Sequence, residues 1–305
     1  MKVAVIDIGS NTVRLIVYTL HEKTFKQLVS KKIMLGLASC IENKTLTSEG
    51  IAKLTEALSQ LKHFCTMFHV EHAYYFATAS LRNVSNKKEV LQHIKHQLEI
   101  EIELLTQDQE GLYDFYGSRL SMNVDSGWLI DIGGGSSEIV GYEKDHIFYN
   151  ASMPVGSLNL YADYVDYLFP KKAEVKNIKA RIKKELNALP DKPKNQKMTT
   201  AIGVGGSIRA LLLLIRKEVK VKDLSAFSKK DVEMMLDLIL DDMESSAHKI
   251  LRIKPDRIHT IVPGMLILLQ IMNTYGIERI QISHTGLREG YLMNRYQMTG
   301  DEYYE

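Results

Sequence analysis

Two short segments carry the residue types that hold phosphate. Residues 4–18 read AVIDIGSNTVRLIVY and residues 128–142 read WLIDIGGGSSEIVGY. At an offset of 124 residues, Ile6, Asp7, Ile8 and Gly9 recur as Ile130, Asp131, Ile132 and Gly133, and Tyr18 recurs as Tyr142. A phosphate needs several hydrogen-bond donors converging on it, and glycine lets backbone N–H groups approach closely. Ser10, Asn11 and Thr12 add side-chain donors to the first turn, while Gly133, Gly134, Gly135, Ser136 and Ser137 make a barer cradle. Asp7 and Asp131 sit where a strand runs into the turn, where a carboxylate can hold a hydrated Mg²⁺ that bridges to substrate phosphates. The same residues also suit plain tight hairpins with a capping aspartate. Two matching turns together with a third glycine motif favour phosphate.

That third motif is AIGVGGSIRAL, residues 201–211. A strand leads into Gly203, Gly205 and Gly206, and Ser207 opens a helix whose N-terminus suits an anion or a nucleotide. It lacks the lysine and spacing of a GxxxxGK[ST] loop. It also lacks the GxGxxG dinucleotide fingerprint with an acid about 20 residues later.

The repeat calls for two similarly built halves, each opening on an apolar strand, a turn and a second strand. Around them the pattern alternates helices and strands. Ile51, Leu54, Leu58, Leu61, Cys65 and Phe68 recur at helical spacing. Tyr74–Thr78 reads as a strand, Lys87–Leu98 as a helix, Ile100–Leu105 as extended, and Gln109–Leu120 as a helix. Beyond the second turn come a lysine-rich helix at 171–187, a polar linker at 188–197, a strand at Thr199–Gly203 and a helix from Gly206. Helices at 229–241 and 264–274, a strand at Arg279–Ser283 and a helix from Leu287 complete the reading. The expected domains are residues 1–121 and 122–305, with the last helix, 287–305, packing back on the first lobe.

Composition excludes several classes. The chain has 305 residues, 45% hydrophobic and 25% charged, which is ordinary for a folded domain pair. Thirty-nine Lys and Arg against 37 Asp and Glu leave +2, so the whole chain is not a basic nucleic-acid binder. Cys40 and Cys65 form neither a disulfide framework nor a CxxC pair, and read as reduced thiols. No apolar run approaches the ~20 residues of a membrane span, and the N-terminal residues lack a signal-peptide core. The expectation is a cytoplasmic protein with no membrane partner. His93 and His96 do not make a metal motif, and there is no GxSxG elbow. Lys171, Lys172, Lys176, Lys179, Lys183 and Lys184 read first as a solvated helix face, with a polyanion track as the sharper alternative.

The motifs VAVIDIGSNTVRLIVY, ATASLRNVSN, DQEGLYDFYG, LIDIGGGSSEIV, SMPVGSLNLY, AIGVGGSIRAL and HTGLREGYL follow one another along the chain. In that order the sequence resembles the exopolyphosphatase/guanosine pentaphosphate phosphohydrolase (Ppx/GppA) family, in its short two-domain form, from residue 3 to about residue 293. The resemblance implies an α/β fold of two similar lobes, the actin-like ATPase (ribonuclease H-like) fold, with the active site in an interdomain cleft. It implies phosphate loops made by Asp7, Gly9, Ser10, Asn11 and Thr12, and by Asp131, Gly133, Gly134, Gly135, Ser136 and Ser137. Glu110, before Gly111, stands at the position of the family's catalytic base. Asp131 and Glu138 join it as catalytic residues, Arg82 and Asn86 match polar positions that face the cleft, and Arg82 is among the phosphate-binding residues. Gly203, Gly205, Gly206 and Ser207 remain a nucleotide or anion loop. The implied cofactor is Mg²⁺, or Mn²⁺, held by Asp7, Asp131 and Glu138 directly or through water.

Three departures stand out against the family pattern. Many relatives have two adjacent acids where this chain has Gln109-Glu110, an arginine where Asn159 lies, and an acid where His259 lies. The expected activity is Mg²⁺-dependent hydrolysis of terminal phosphate from inorganic polyphosphate. Two alternatives stand beside it: hydrolysis of the 5′-phosphate of guanosine pentaphosphate, and a noncatalytic sensor of guanosine tetraphosphate or another nucleotide. A homodimer is an expectation that no residue establishes.

Overall fold

The computed structural model describes residues 1–22, 24–191 and 198–298. Residues 192–197 of the expected linker and 299–305 of the expected last helix lie outside the described residues. The chain divides into two compact units. One comprises Met1–Leu120 and the chain from Leu287 on, and the other Ser121–Gly286.

The first unit opens with β1 (Lys2–Ile8), β2 (Thr12–His21) and β3 (Thr24–Met34). A small hairpin, β4 (Ile41–Glu42) and β5 (Thr45–Leu46), leads to α1 (Ser48–Met67). Then come β6 (His72–Ala77), α2 (Ala79–Arg82), α3 (Lys87–Leu98), β7 (Ile102–Leu104) and α4 (Gln107–Arg119). The sheet order is β3-β2-β1-β6-β7. β1 pairs antiparallel with β2 and parallel with β6, so it lies at the centre and buries both faces. That explains its nearly continuous apolar run. Leu54, Leu58, Leu61 and Cys65 form the buried stripe of α1, whose N-terminus is capped by Thr47 Oγ1 accepting from Gly50 N at 3.2 Å. Each fully buried leucine contributes about 1.5–3 kcal/mol.

The second unit repeats the plan. β8 (Ser126–Ile132), β9 (Ser137–Glu143) and β10 (His146–Met153) form an antiparallel meander. They are followed by α5 (Ser157–Tyr164), α6 (Lys172–Asn187), β11 (Thr200–Val204), α7 (Gly205–Glu218), β12 (Ala226–Ser228), α8 (Lys229–Asp241), α9 (Met243–Ile253), α10 (Ile261–Tyr275) and β13 (Arg279–Ile282). The sheet order is β10-β9-β8-β11-β13-β12. Its first five positions match the five of the first unit: a meander, then two parallel strands. The 124-residue sequence repeat is thus a repeat of topology, and both units have the actin-like ATPase fold. α10 is buried on nearly all sides and is the spine of this core. α6 turns Val175, Ile178, Ile182 and Leu186 inward and leaves its lysines exposed.

The last described helix, α11 (Leu287–Tyr296), belongs to the first unit, where it packs on α4. The close approach is made at Gly290, where a Cβ would run into the Tyr113 backbone of α4. Tyr291 also stacks against Phe76 and Tyr113.

Several elements differ from the sequence reading. The third strand of each meander was not anticipated. β3 is largely exposed and lysine-rich, so no apolar alternation marks it. α10 begins three residues earlier than expected, because Pro263 is tolerated in a first helical turn. Among the described residues no helix is long and apolar enough to cross a membrane, and both cysteines are buried free thiols.

Gly290→Ala is expected to destabilise the first unit by about 1–3 kcal/mol, because backbone must move to make room. Urea unfolding compared with wild type reads that loss.

Candidate functional site

In the first unit the turn between β1 and β2 is closed by Gly9 N donating to Thr12 O at 3.0 Å. The carbonyl of Asn11 accepts from Leu35 N (2.9 Å) and Gly36 N (3.0 Å), and that of Ser10 from Ala38 N (3.0 Å). Carbonyl oxygens repel an anion. Tying them to the 35–38 segment turns them away from it, so the amides and hydroxyls of Ser10, Asn11 and Thr12 set the character of the turn. Ser80 Oγ donates to Ile8 O at 2.7 Å and fixes α2 to the end of β1.

Asp7 is paired with Arg288 of α11, Nη1 to Oδ2 at 2.9 Å. Burial holds the Asp7 carboxyl above the usual carboxylate range, with Arg288 opposing the shift. This carboxylate, expected to hold a metal, is therefore charge-balanced by an arginine.

α2 and α4 bring Arg82 and Glu110 together. Arg82 Nη1 donates to Leu105 O at 2.7 Å and forms an ion pair with Glu110, which is 5% exposed. Arg82 Nη2 is buried without a hydrogen-bond partner among the described residues. Glu110 lies in the first turn of α4, where Gln109 completes a capping box: Gln109 N donates to Thr106 Oγ1 (3.2 Å) and Thr106 N to Gln109 Oε1 (2.8 Å). Gln109, where relatives carry a second acid, thus does the work of a helix cap. Asn86 does not cap α3. Its amide clamps the Leu46 backbone, accepting from N and donating to O at 3.0 Å each.

In the second unit the turn between β8 and β9 follows the same rule more fully. Gly133 N donates to Ser136 O at 3.0 Å. The first amides of α5 then cover the turn's carbonyls: Ser157 N to Gly133 O (2.9 Å), and Leu158 N and Asn159 N to Gly134 O (3.0 and 3.1 Å). Asn159 Nδ2 holds Gly135 O at 3.1 Å. Asn159 is a loop clamp here, which gives a structural meaning to the departure from arginine. Gly156 permits the approach, because a Cβ there would overlap the backbone of Gly134 and Gly135. Ser136 lies in the turn itself and is 5% exposed. Ser137, expected as a phosphate donor, is fully buried and donates to Val155 O at 2.8 Å, so its hydroxyl is used inside the unit.

Asp131 and Glu138 are direct partners across the β8–β9 pair, so they share one face of the sheet. Glu138 is 2% exposed and accepts from Ser152 Oγ at 3.0 Å. Asp131 lies against the third glycine turn. Gly205 adopts φ +86°, and a Cβ there would strike Asp131 Oδ1. Gly206 is covered by the guanidinium of Arg257. Burial lowers the Arg257 pKa, while Asp256 and Asp131 raise it. Gly203 has a packing role, since a Cβ would meet Ile280 and Ile208. Ser207 is buried 3.4 Å from Ser157 Oγ, and Arg209 donates to Ser283 O at 3.3 Å. His259 packs edge-on against Tyr161.

Among the described residues no three His, Cys, Asp or Glu side chains converge on a metal position. Two carboxylates on one sheet face do fit Mg²⁺, which keeps several waters and takes one or two carboxylates plus substrate phosphates. Asp131 and Glu138 supply that donor set, while Asp7 carries Arg288 on its Oδ2.

Sequence reasoning missed Arg257 and Arg288. Arg257 follows Pro255-Asp256 and carries no local signal. Arg288 stood in a quoted motif, GLREG, but its partner is 281 residues away.

The profile of the Ppx/GppA phosphatase family matches residues 16–298. A bifunctional 3-dehydroquinate synthase/phosphatase of Fusobacterium nucleatum is 26% identical over 299 residues. That match covers 92% of this chain but spans only 44% of the relative's length. Exopolyphosphatase 1 of Mycobacterium tuberculosis is 23% identical, covering 99% of this chain and 90% of that one. Among solved structures, the Aquifex aeolicus PPX-GPPA enzyme superposes with a TM-score of 0.77 at 25% identity, covering 96% of this chain and 99% of its own. An exopolyphosphatase from Cytophaga hutchinsonii superposes at 0.86 with 20% identity, covering 98% and 99%.

Gly156→Ala is expected to push the 133–135 turn out of place. The cost is about 1–3 kcal/mol of stability, read by thermal unfolding, together with weaker binding of inorganic tripolyphosphate in a titration.

Proposed function

Because the chain belongs to the Ppx/GppA phosphatase family, it is a phosphoanhydride hydrolase, and we propose that it removes terminal phosphate from inorganic polyphosphate with Glu110 as the base. The observation that carries the reading is Glu110 itself, a nearly buried carboxylate fixed in a capped helical turn and paired with Arg82.

The mechanism follows from what these residues can do. Phosphoryl transfer asks mainly for positioning and charge stabilisation. The turn at Gly9–Thr12 and the turn at Gly133–Ser136 offer amide and hydroxyl donors, their carbonyls being tied elsewhere. Such fixed donors stabilise charge on a transferring phosphoryl group without reorganising. In the resting protein Arg82 is shared between Leu105 O and Glu110. A phosphate oxygen competes for that guanidinium, whose Nη2 still has a donor to give. The Glu110 carboxylate then takes the proton of an attacking water. Asp131 and Glu138 are the residues that would hold Mg²⁺, which would neutralise charge on the phosphate oxygens.

Such a base is worth ~10²–10⁴-fold in rate, or roughly 3–5 kcal/mol of barrier. Glu110→Gln keeps the shape of the side chain and removes the proton acceptor. With Mg²⁺ present, phosphate release from short and long polyphosphate should fall by about 10²–10⁴-fold in this variant, while tripolyphosphate still binds. A preference of the wild type for guanosine pentaphosphate would move the substrate assignment to the nucleotide. Ligand binding without release from any of these substrates would contradict the hydrolytic reading and favour a sensor.

A further inference from the structure

Four charged side chains meet at the base of the first turn. Asp7 ends β1, and Arg14 is its direct partner across β2. α11 adds Arg288, on Asp7 Oδ2 at 2.9 Å, and Glu289, which accepts from Tyr18 Oη at 2.5 Å. Each arginine is within electrostatic reach of both acids. Two acids and two arginines sum to zero. Packing holds Arg288 in place: its side chain is 15% exposed, and the Gly290 contact fixes α11 against α4. Its Nε has no hydrogen-bond partner among the described residues, so the Asp7 pairing is made through Nη1.

The balance matters because the turn begins two residues after Asp7. A carboxylate left without its counter-charge at that place would repel any anion held by Ser10, Asn11 and Thr12, and burial would keep water from screening it. The ordinary alternative is that the pair only holds α11 in place. A purely structural pair, however, predicts no gain in anion binding when the carboxylate is neutralised.

We propose that Arg288 is a positioning residue of the first turn: by cancelling the charge of Asp7 it makes the turn able to accept a phosphate, and Asp7 serves as the partner of that arginine and not as a cation ligand. The proposal rests on the reading of this turn as a phosphate site.

The test is calorimetric titration of inorganic tripolyphosphate into the full chain in EDTA, with thermal unfolding of every variant. Arg288→Met leaves the cluster at −1 and should bind about tenfold more weakly, the effect of one unit charge acting from roughly 10 Å near a protein surface. Arg288→Lys keeps the charge and should bind close to wild type. Asp7→Asn leaves the cluster at +1 and should bind about tenfold more tightly. The double variant Asp7→Asn with Arg288→Met returns to zero and should recover the lost affinity. A folded double variant as weak as Arg288→Met overturns the proposal. If Arg288→Met does not fold, Asp7→Asn decides: tighter binding there supports the proposal, and unchanged or weaker binding overturns it. A wild type that binds no tripolyphosphate overturns the phosphate reading of the turn and this proposal with it. A wild type that binds while folded Arg288→Met binds equally well overturns this proposal alone.

Discussion

A carboxylate drawn out of water is costly without a counter-charge, and three acids of this protein each have an arginine. Asp7 has Arg288, Glu110 has Arg82, and Asp131 lies within the field of Arg257. None of these arginines is a neighbour of its acid in sequence. Each is delivered by a separate element whose packing fixes where the guanidinium sits: α11 by Gly290 on α4, α2 by Ser80 on β1, and the 255–257 turn against Gly206. Burying acids without such partners would raise their pKa values.

The glycine turns solve the complementary problem of exposing donors while hiding acceptors. In the first unit the 35–38 segment takes up the carbonyls of Ser10 and Asn11. In the second the N-terminus of α5 does the same for Gly133 and Gly134. That helix N-terminus would itself suit an anion, yet here its amides are used on the turn. The two units share a topology but use different elements for the same purpose, and the glycines mark where those elements come closest.

How much of this was legible depends on the range of the interaction. The doubled strand–turn–strand was visible because it repeats within the chain and because glycine and aspartate announce such turns locally. The similarity of the two sheets followed from that repeat. The helices of α1 and α3 were visible from apolar spacing, while β3 was hidden by its exposure. The role proposed for Glu110 rests on family resemblance, since an acid in a first helical turn is otherwise ordinary. The capping pattern Thr106-x-x-Gln109 was there to be read and accounts for Gln109 without any catalytic role. Asn86, Ser137 and Asn159 are polar residues inside the same motifs whose side chains clamp backbone, contacts that only tertiary packing sets. Arg257 and Arg288 were out of reach because their partners are set by tertiary packing.

The most direct test of the central claim is to follow oxygen from water. A single turnover on polyphosphate of defined length, run with Mg²⁺ in ¹⁸O-enriched water, shows which phosphorus the water attacks. Attack on the terminal phosphorus places one ¹⁸O in the released orthophosphate and none in the shortened chain, and this is the predicted result. Unlabelled orthophosphate with label in the remaining chain, or no release at all, would contradict it.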